Sequence, residues 1–148
     1  MRICMVANNN SIFVDTNYFV ALFNPSDSLH HEALEMTAGL YSHNFVLVTS
    51  SLIFTEIVTI LSLRVDHKIS IEAGKYLLQD ENIAIIQMDK ALQQQSWNIF
   101  QNLDHKNIGL VDCSTIAIMQ TEGINTLVTF DQTDFKKLQK QYRFSLYK

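Results

Sequence analysis

Four acidic residues occupy positions from which their carboxylates can act together. Asp15 directly follows the apolar run Ser11-Ile12-Phe13-Val14, and Asp131 ends a later apolar run. Asp112 opens a segment with helical periodicity, and Glu56 lies in the middle of another. Ligands of open α/β sheets bind outside the carboxyl ends of the strands, so Asp15 and Asp131 meet at one edge if their strands are neighbours. Their convergence therefore depends on whether the chain builds such a sheet.

Glu56 is the acid that a purely structural role explains least well. On a helical wheel Leu52, Ile60 and Leu63 fall within about 40° of it, which predicts that Glu56 projects from an apolar face toward the sheet. A buried carboxylate without a partner is unfavourable, so a cation or a proton is expected beside it. Since Arg64 is two turns further on, a metal ion is the simpler partner.

Short apolar runs alternate with longer segments of helical periodicity along most of the chain. This alternation predicts right-handed crossovers and a three-layer α/β/α sandwich, with a central parallel sheet of four to five strands. The predicted strands are 11–14, 45–49, 83–88, 124–130 and an edge strand 144–147. The predicted helices are 18–23, 27–41, 51–65, 70–79 with Ser70 as its cap, 90–103, 112–121 and 133–141.

Composition is that of one ordinary domain. The chain has 148 residues, of which 47% are hydrophobic, with only 4 Gly and 1 Pro. We expect a poorly ordered lead-in at residues 1–10 and a single domain over 11–148. The two cysteines, Cys4 and Cys113, form no C-x-x-C pair, and no apolar run reaches the roughly 18 residues of a membrane span. A cytoplasmic protein without membrane association is expected.

A local basic cluster follows the last acids in an otherwise acidic chain. The formal net charge of −4 excludes a globally basic nucleic-acid binder, but phosphate binding depends on local charge. The cluster is explained either as a solvated helix face or as a rim that binds the phosphates of a nucleic acid. Its members are Lys136, Lys137, Lys140, Arg143 and Lys148, of which the first four are the candidates for binding phosphate.

Each acid alone also has a simpler explanation. Asp15, Asp112 and Asp131 are all typical helix N-caps, and Glu56 fits a single buried acid with a raised pKa. Several hard oxygen ligands in one pocket, however, fit Mg²⁺ or Mn²⁺ and not zinc. A divalent ion there would lower the pKa of its bound water and hold phosphate oxygens for in-line attack. The chemistry predicted for the set is phosphodiester hydrolysis.

The motifs that carry these acids resemble the pattern of the PIN-domain family, in the family's order. They are Val14-Asp15-Thr16-Asn17, the segment 50–56, Val111-Asp112-Cys113-Ser114 and the segment 129–135. The resemblance spans nearly the whole chain after residue 10. It implies that Asp15, Glu56, Asp112 and Asp131 form the metal site and are the catalytic residues. It also implies supporting roles for Thr16, Asn17, Ser114 and Asp134.

What the resemblance implies for function is specific. PIN domains are Mg²⁺- or Mn²⁺-dependent ribonucleases, and this chain has the size of the single-domain members known as VapC toxins. An endoribonuclease acting on RNA is therefore expected, with a homodimer as its assembly and a cognate antitoxin as its inhibitor.

Three other interpretations remain open from the residues. A receiver domain would need a second acid beside Asp15, and a haloacid-dehalogenase-type phosphatase would need D-x-D where this chain has Asp15-Thr16-Asn17. Neither of these α/β classes accounts for Glu56. A catalytically silent module would keep the PIN fold only as an interaction surface, against which the intact set of acids argues.

Overall fold

A parallel sheet of five strands lies at the centre of the computed structural model, which describes residues 10–104 and 106–148. The strands are β1 Ser11–Val14, β2 Val46–Ser50, β3 Ile83–Ile86, β4 Thr126–Val128 and β5 Ser145–Leu146. Their spatial order is β3-β2-β1-β4-β5, and every neighbouring pair is parallel. β1 is central because three of its four residues are apolar and completely buried, as is typical of a strand covered on both faces.

Seven helices within the described ranges cover the two faces of this sheet. They are α1 Thr16–Phe23, α2 His30–Ser42, α3 Ser51–Arg64, α4 His67–Gln79, α5 Lys90–Gln101, α6 Leu110–Glu122 and α7 Gln132–Gln139. Right-handed crossovers place α1 to α4 on one face and α5 to α7 on the other, with α3 packed between α1 and α4, and α5 against α6. The predicted three-layer sandwich is confirmed. None of these helices is long and apolar enough to cross a membrane.

The strand order reverses beside β1, and this reversal creates the crevice that matters for function. The chain leaves β1 toward β2 and β3, and then crosses back to place β4 on the other side of β1. Asp15 continues this pairing, because its backbone N–H donates to the carbonyl of Val128 at 2.9 Å. The carboxyl ends of β1 and β4 therefore meet at a topological switch point, where open α/β sheets bind ligands.

The cap of α4 differs from the sequence prediction. The carboxylate of Asp66 accepts from the backbone N–H groups of Lys68 and Ile69 at 2.8 and 3.2 Å, so the helix begins at His67. Ser70 is buried one turn inside the helix, where its hydroxyl donates to the carbonyl of His67 at 2.6 Å. An aspartate satisfies two unpaired N–H groups and complements the helix dipole, which favours it over serine as the cap.

Two other predicted boundaries are too generous. α2 begins at His30 and not at residue 27, because Asp27 accepts from the backbone N–H of Leu29 at 2.9 Å and holds a turn instead. β4 covers only Thr126–Val128 of the predicted 124–130. Residue 124 does not join the strand, because its N–H donates to the carbonyl of Met119 in the last turn of α6. Gly123, the C-cap of that helix, has φ 68°.

The predicted lead-in at residues 1–10 lies outside the described residues except for Asn10. The side-chain amide of Asn10 donates to the carbonyls of His43 and Asn44 at 3.0 and 2.7 Å. Its own carbonyl accepts from the N–H of Val46 at 3.0 Å. Asn10 therefore extends the pairing between β1 and β2.

The position of the α4 cap can be tested by two substitutions. We expect Asp66→Ala to lower the free energy of unfolding by about 1 kcal/mol, because two N–H groups lose their acceptor. Ser70→Ala should cost less, since the carbonyl that its hydroxyl contacts lies inside the helix. Urea unfolding followed by circular dichroism measures both, and a larger loss for Ser70→Ala than for Asp66→Ala would contradict the assigned cap.

Candidate active site

A cleft of about 340 Å³ opens at the carboxyl edge of the sheet. Three of the four predicted acids, Asp15, Glu56 and Asp112, line it together. They come from the end of β1, from α3 and from α6, which are the sheet and the two opposite helical layers. The prediction that these three acids converge at this edge agrees with the geometry of the cleft.

Asp15 is held by a hydrogen bond at each carboxylate oxygen. Oδ1 accepts from the backbone N–H of Thr16 at 2.9 Å, and Oδ2 accepts from the hydroxyl of Thr129 at 2.9 Å. The residue occupies the N-cap position of α1 and is 7% exposed. Asp15 therefore caps a helix and faces the cleft at the same time, so the two explanations of this acid are compatible.

Thr129 is a site residue that the sequence prediction missed. It follows β4, and besides its bond to Asp15 its hydroxyl oxygen accepts from the backbone N–H of Asp131 at 3.0 Å. The amide of Asn17 donates to the same oxygen at 3.2 Å and accepts from the N–H of Phe130 at 3.0 Å. Thr129 and Asn17 thus fix the segment that leads to Asp131 against the end of β1. A hydroxyl directly after a buried strand was the signal available in the sequence.

The face of α3 that carries Glu56 does not point toward the sheet, although the sequence predicts that it does. Two of the residues placed beside it, Leu52 and Leu63, are 39% and 80% exposed, so their face does not point to the sheet. The prediction was wrong because α3 is apolar on most sides and a helical wheel cannot identify the core-facing side of such a helix. The buried side chains of α3 are Ile53, Ile57 and Leu61.

The half-buried Glu56 faces α1 across the cleft. Its Oε2 accepts a short hydrogen bond from the hydroxyl of Thr16, the first residue of α1. Thr16 therefore contributes its backbone N–H to Asp15 and its hydroxyl to Glu56. One residue therefore holds the carboxylates of two acids.

Asp112 lies in the first turn of α6, two residues later than the start of the helix. Its Oδ2 accepts from the backbone N–H of Gly109 at 3.2 Å, so the carboxylate closes the N-terminus of α6. The predicted start at residue 112 is two residues too late, because the apolar pair Leu110-Val111 is also typical of the end of a strand. Ser114 bonds within its own helix, donating to the carbonyl of Val111 at 2.6 Å, and contacts none of the acids through a hydrogen bond in the described chain.

Asp131 and Asp134 stand beside the cleft without lining it. Asp131 is exposed at the start of α7, and its side chain makes no capping bond. Asp134 pairs with Lys137 at 3.3 Å. The negative charges of both residues nevertheless raise the pKa of Asp112, which shows that they lie within electrostatic range of the cleft.

Burial and the charges of neighbouring acids raise the pKa values of Asp15 and Asp112. Burial raises the pKa of Asp15 to about 7, against the lowering effect of the bonds from Thr129 and Thr16, and the charges of Asp112 and Glu56 raise it further. Burial also raises the pKa of Asp112 to about 6, with added repulsion from Asp131, Asp134 and Glu56. Carboxylates that raise one another's pKa values share a space in which a cation would be favoured.

The donor set fits a hard divalent ion. Carboxylate oxygens are the ligands that Mg²⁺ and Mn²⁺ prefer, and neither a cysteine nor a histidine is among the residues that line the cleft. In residues 10–104 and 106–148, no three His, Cys, Asp or Glu side chains are close enough to form a complete metal-binding group. The acids therefore surround the cleft and do not form a closed cage.

The predicted basic rim is divided by the fold. α7 carries Lys136 and Lys137 away from the carboxyl edge, and Lys140 is its C-cap. Arg143 lines a separate cleft of about 240 Å³ between the C-terminal half of α6, the turn before β4 and residues 142–144. Since β5 runs parallel to β4, Arg143 lies at the amino edge of the sheet, opposite the acids. The prediction of one continuous basic cluster beside the site is wrong for this residue.

Comparisons with known proteins agree on one family. The PIN domain model matches residues 12–141. The chain is 29% identical over 120 residues to the 23S rRNA-specific endonuclease VapC20 of Mycobacterium tuberculosis, covering 81% of this chain and 88% of that protein.

Solved structures show the same fold. The crystal structure of VapC20 from M. tuberculosis, described as a Sarcin-Ricin loop cleaving toxin, superposes with a TM-score of 0.78 at 29% identity, covering 86% of this chain and 94% of that one. VapBC2 from Rickettsia felis, bound to a promoter DNA fragment, gives a TM-score of 0.66 at 19% identity, covering 93% and 99%.

A three-layer sandwich with acids at the switch point defines an α/β protein built to act on a ligand at the carboxyl edge of its sheet. The family match over most of the chain then identifies the class: this chain belongs to the PIN domain family. The resemblance seen in the sequence is confirmed, and the receiver-domain and haloacid-dehalogenase interpretations are excluded.

The raised pKa values predict how stability depends on pH in the absence of divalent ions. Asp15 and Asp112 titrate near 7 and 6 in the folded chain but near 3.8 as ordinary aspartates, so the folded state binds their protons more tightly. The tighter binding of these two protons stabilises the folded state fully below about pH 4, and this stabilisation is lost as the pH rises to about 7. We expect Asp15→Asn to reduce the fall in thermal midpoint across this range in chelator-treated protein. An unchanged pH dependence in this variant would contradict the assignment.

Proposed function

We propose that this chain is a metal-dependent endoribonuclease that hydrolyses phosphodiester bonds in RNA. The observation that carries the proposal is that Asp15, Glu56 and Asp112, from three separate elements, line one cleft at the switch point of the sheet. Similarity to a relative named as a 23S rRNA-specific endonuclease supports it. We also propose that the enzyme acts in the cytoplasm, because the ribosomal RNA for which that relative is named is found there.

Asp15, Glu56, Asp112 and Asp131 are proposed to hold Mg²⁺ or Mn²⁺ and so to be the catalytic residues. Such an ion supplies an activated water and neutralises charge on the phosphate. Asp131 differs from the other three because it is exposed and lies beside the cleft, so its carboxylate is free to approach a ligand. Asp134 is assigned a supporting electrostatic role through its effect on Asp112.

The remaining side chains hold the acids in place. Thr16 donates to Asp15 and Glu56, Thr129 donates to Asp15, and Asn17 binds the segment that follows β4. These bonds orient the carboxylates without requiring a ligand, which is a property expected of a preorganised site. The N-termini of α1 and α6 add partial positive charge near the cleft, which favours an approaching phosphate.

The similarity to VapC20 suggests the substrate and partners to examine first. We propose 23S rRNA as the substrate and a cognate antitoxin as the inhibitor, since the relative is described as an rRNA endonuclease and a toxin. A homodimer stays a prediction. Trp97 and Phe100, stacked at 5.7 Å and 45% and 38% exposed, offer an apolar surface of the kind found at interfaces.

Cleavage of 23S rRNA by the purified chain tests the proposed function. We expect cleavage with Mg²⁺ or Mn²⁺, none with a chelator, and a loss of at least about a hundredfold in Asp112→Asn, because one carboxylate of the site becomes neutral. Asp104→Asn is the matched control, since Asp104 is exposed and outside the cleft. Circular dichroism verifies that both variants fold.

Two outcomes would contradict the proposal in different ways. Full cleavage by folded Asp112→Asn would show that the acids of the cleft do not perform the reaction. No cleavage of ribosomal RNA or of total RNA by the wild-type chain with either ion would favour the catalytically silent module.

A further inference from the structure

The cleft extends beyond the proposed metal site of Asp15, Glu56 and Asp112. Beyond Glu56 it continues along α3 to Arg64, the last residue of that helix. Arg64 is exposed, and within the described chain its side chain forms no ion pair or hydrogen bond. It is also the single basic residue among the described residues that line this cleft. A guanidinium without a side-chain partner therefore shares one cavity with four carboxylates, those of Asp15, Asp27, Glu56 and Asp112.

The separation of the two ends is fixed by the helix. Arg64 follows Glu56 by eight residues, which corresponds to a rise of about 12 Å along an α-helix. The wall between them is apolar and is formed by Val20, Leu29 and Ile60. Ile60 is half-buried and is not among the hydrophobic side chains that pack on the buried core, so its side chain is available to a ligand.

A guanidinium at this place fits a phosphate. Arginine binds phosphate oxygens through two parallel N–H bonds. Because both partners are charged, these bonds are stronger than hydrogen bonds between neutral groups. The opposite end of the cleft repels phosphates unless a divalent ion is present, because its groups are carboxylates. Asp27 also lines the Arg64 end, but its carboxylate accepts from the N–H of Leu29 and forms no ion pair with Arg64.

We propose that Arg64 binds a phosphate of the RNA strand flanking the cleaved bond, and that the apolar wall contacts the intervening sugar or base. This inference rests on the proposed ribonuclease function and adds to it a direction for the substrate, along α3 from the acids toward Arg64. It also implies an unpaired strand. A base can contact a protein wall only when it is unstacked, as in RNA loops and ends.

Kinetics of two Arg64 variants test the phosphate contact. With unpaired RNA as substrate, we expect Arg64→Gln to raise KM about tenfold or more with a smaller change in kcat, since a charge-assisted bond remote from the reacting atoms is lost. The slope of log(kcat/KM) against log salt should become shallower by about 0.7, the value for one phosphate contact with a single strand. Arg64→Lys keeps the charge at the C-terminus of α3 but not the paired bonds, so its KM should be intermediate.

Lys75→Gln is the matched control. Lys75 is exposed on α4 and does not line the cleft, so its loss changes the net charge equally without changing the site. A wild-type KM and salt slope in Arg64→Gln would overturn the inference, as would an equal effect of Lys75→Gln. These results would leave the ribonuclease function intact.

Direct binding separates this inference from the failure of the proposed function. Fluorescence anisotropy of a labelled unpaired oligoribonucleotide measures affinity without cleavage in the Asp112→Asn chain. Adding Arg64→Gln should weaken binding about tenfold and Lys75→Gln should leave it unchanged. A tenfold weakening supports the contact even if the wild-type chain cleaves nothing, and unchanged affinity overturns it.

Discussion

The hydrogen bond from Thr129 to Asp15 joins the ends of β1 and β4 at the point where the strand order reverses. The rest of the site depends on this junction. It fixes one oxygen of the most buried acid, and the same hydroxyl oxygen receives the backbone N–H of Asp131. Asn17 bonds to the same segment, so the first and last parts of the candidate site are held together through a residue that is not itself acidic. Loss of this junction would leave a desolvated carboxylate oxygen and a backbone N–H without partners, which is costly in a buried position.

Placing these carboxylates in one cleft is energetically unfavourable, because they lose hydration and repel one another. Asp15, Glu56 and Asp112 are each bonded to a hydroxyl or a backbone N–H, yet burial still raises the pKa of Asp15 and Asp112. A protein under selection for stability alone would not place several carboxylates in one cleft. A bound cation would turn this repulsion into attraction, which explains the arrangement with no further assumption.

Much of the fold follows from the sequence, because alternating apolar runs and amphipathic segments leave few possible topologies. The edge shared by Asp15 and Asp131 was predictable for the same reason. The α4 cap was predicted wrongly, because Asp66 and Ser70 are both residue types that cap helices and the sequence alone does not show which of them accepts from the free N–H groups. The orientation of Glu56 also required the structure, since α3 is apolar on most sides. Arg64 appeared to be only a distant neighbour of Glu56 until the cleft joined the two.

We propose that a divalent ion binds at Asp15, Glu56 and Asp112, with Asp131 beside them. Calorimetric titration of Mn²⁺ into the chelator-treated chain at about pH 8, above the pKa values of Asp15 and Asp112, measures this binding most directly. We expect the wild-type chain to bind Mn²⁺ saturably. This binding should be lost or greatly weakened in Asp15→Asn and in Glu56→Gln, and unchanged in Asp104→Asn. No binding to the wild-type chain, or equal binding to wild type and Asp15→Asn, would contradict it.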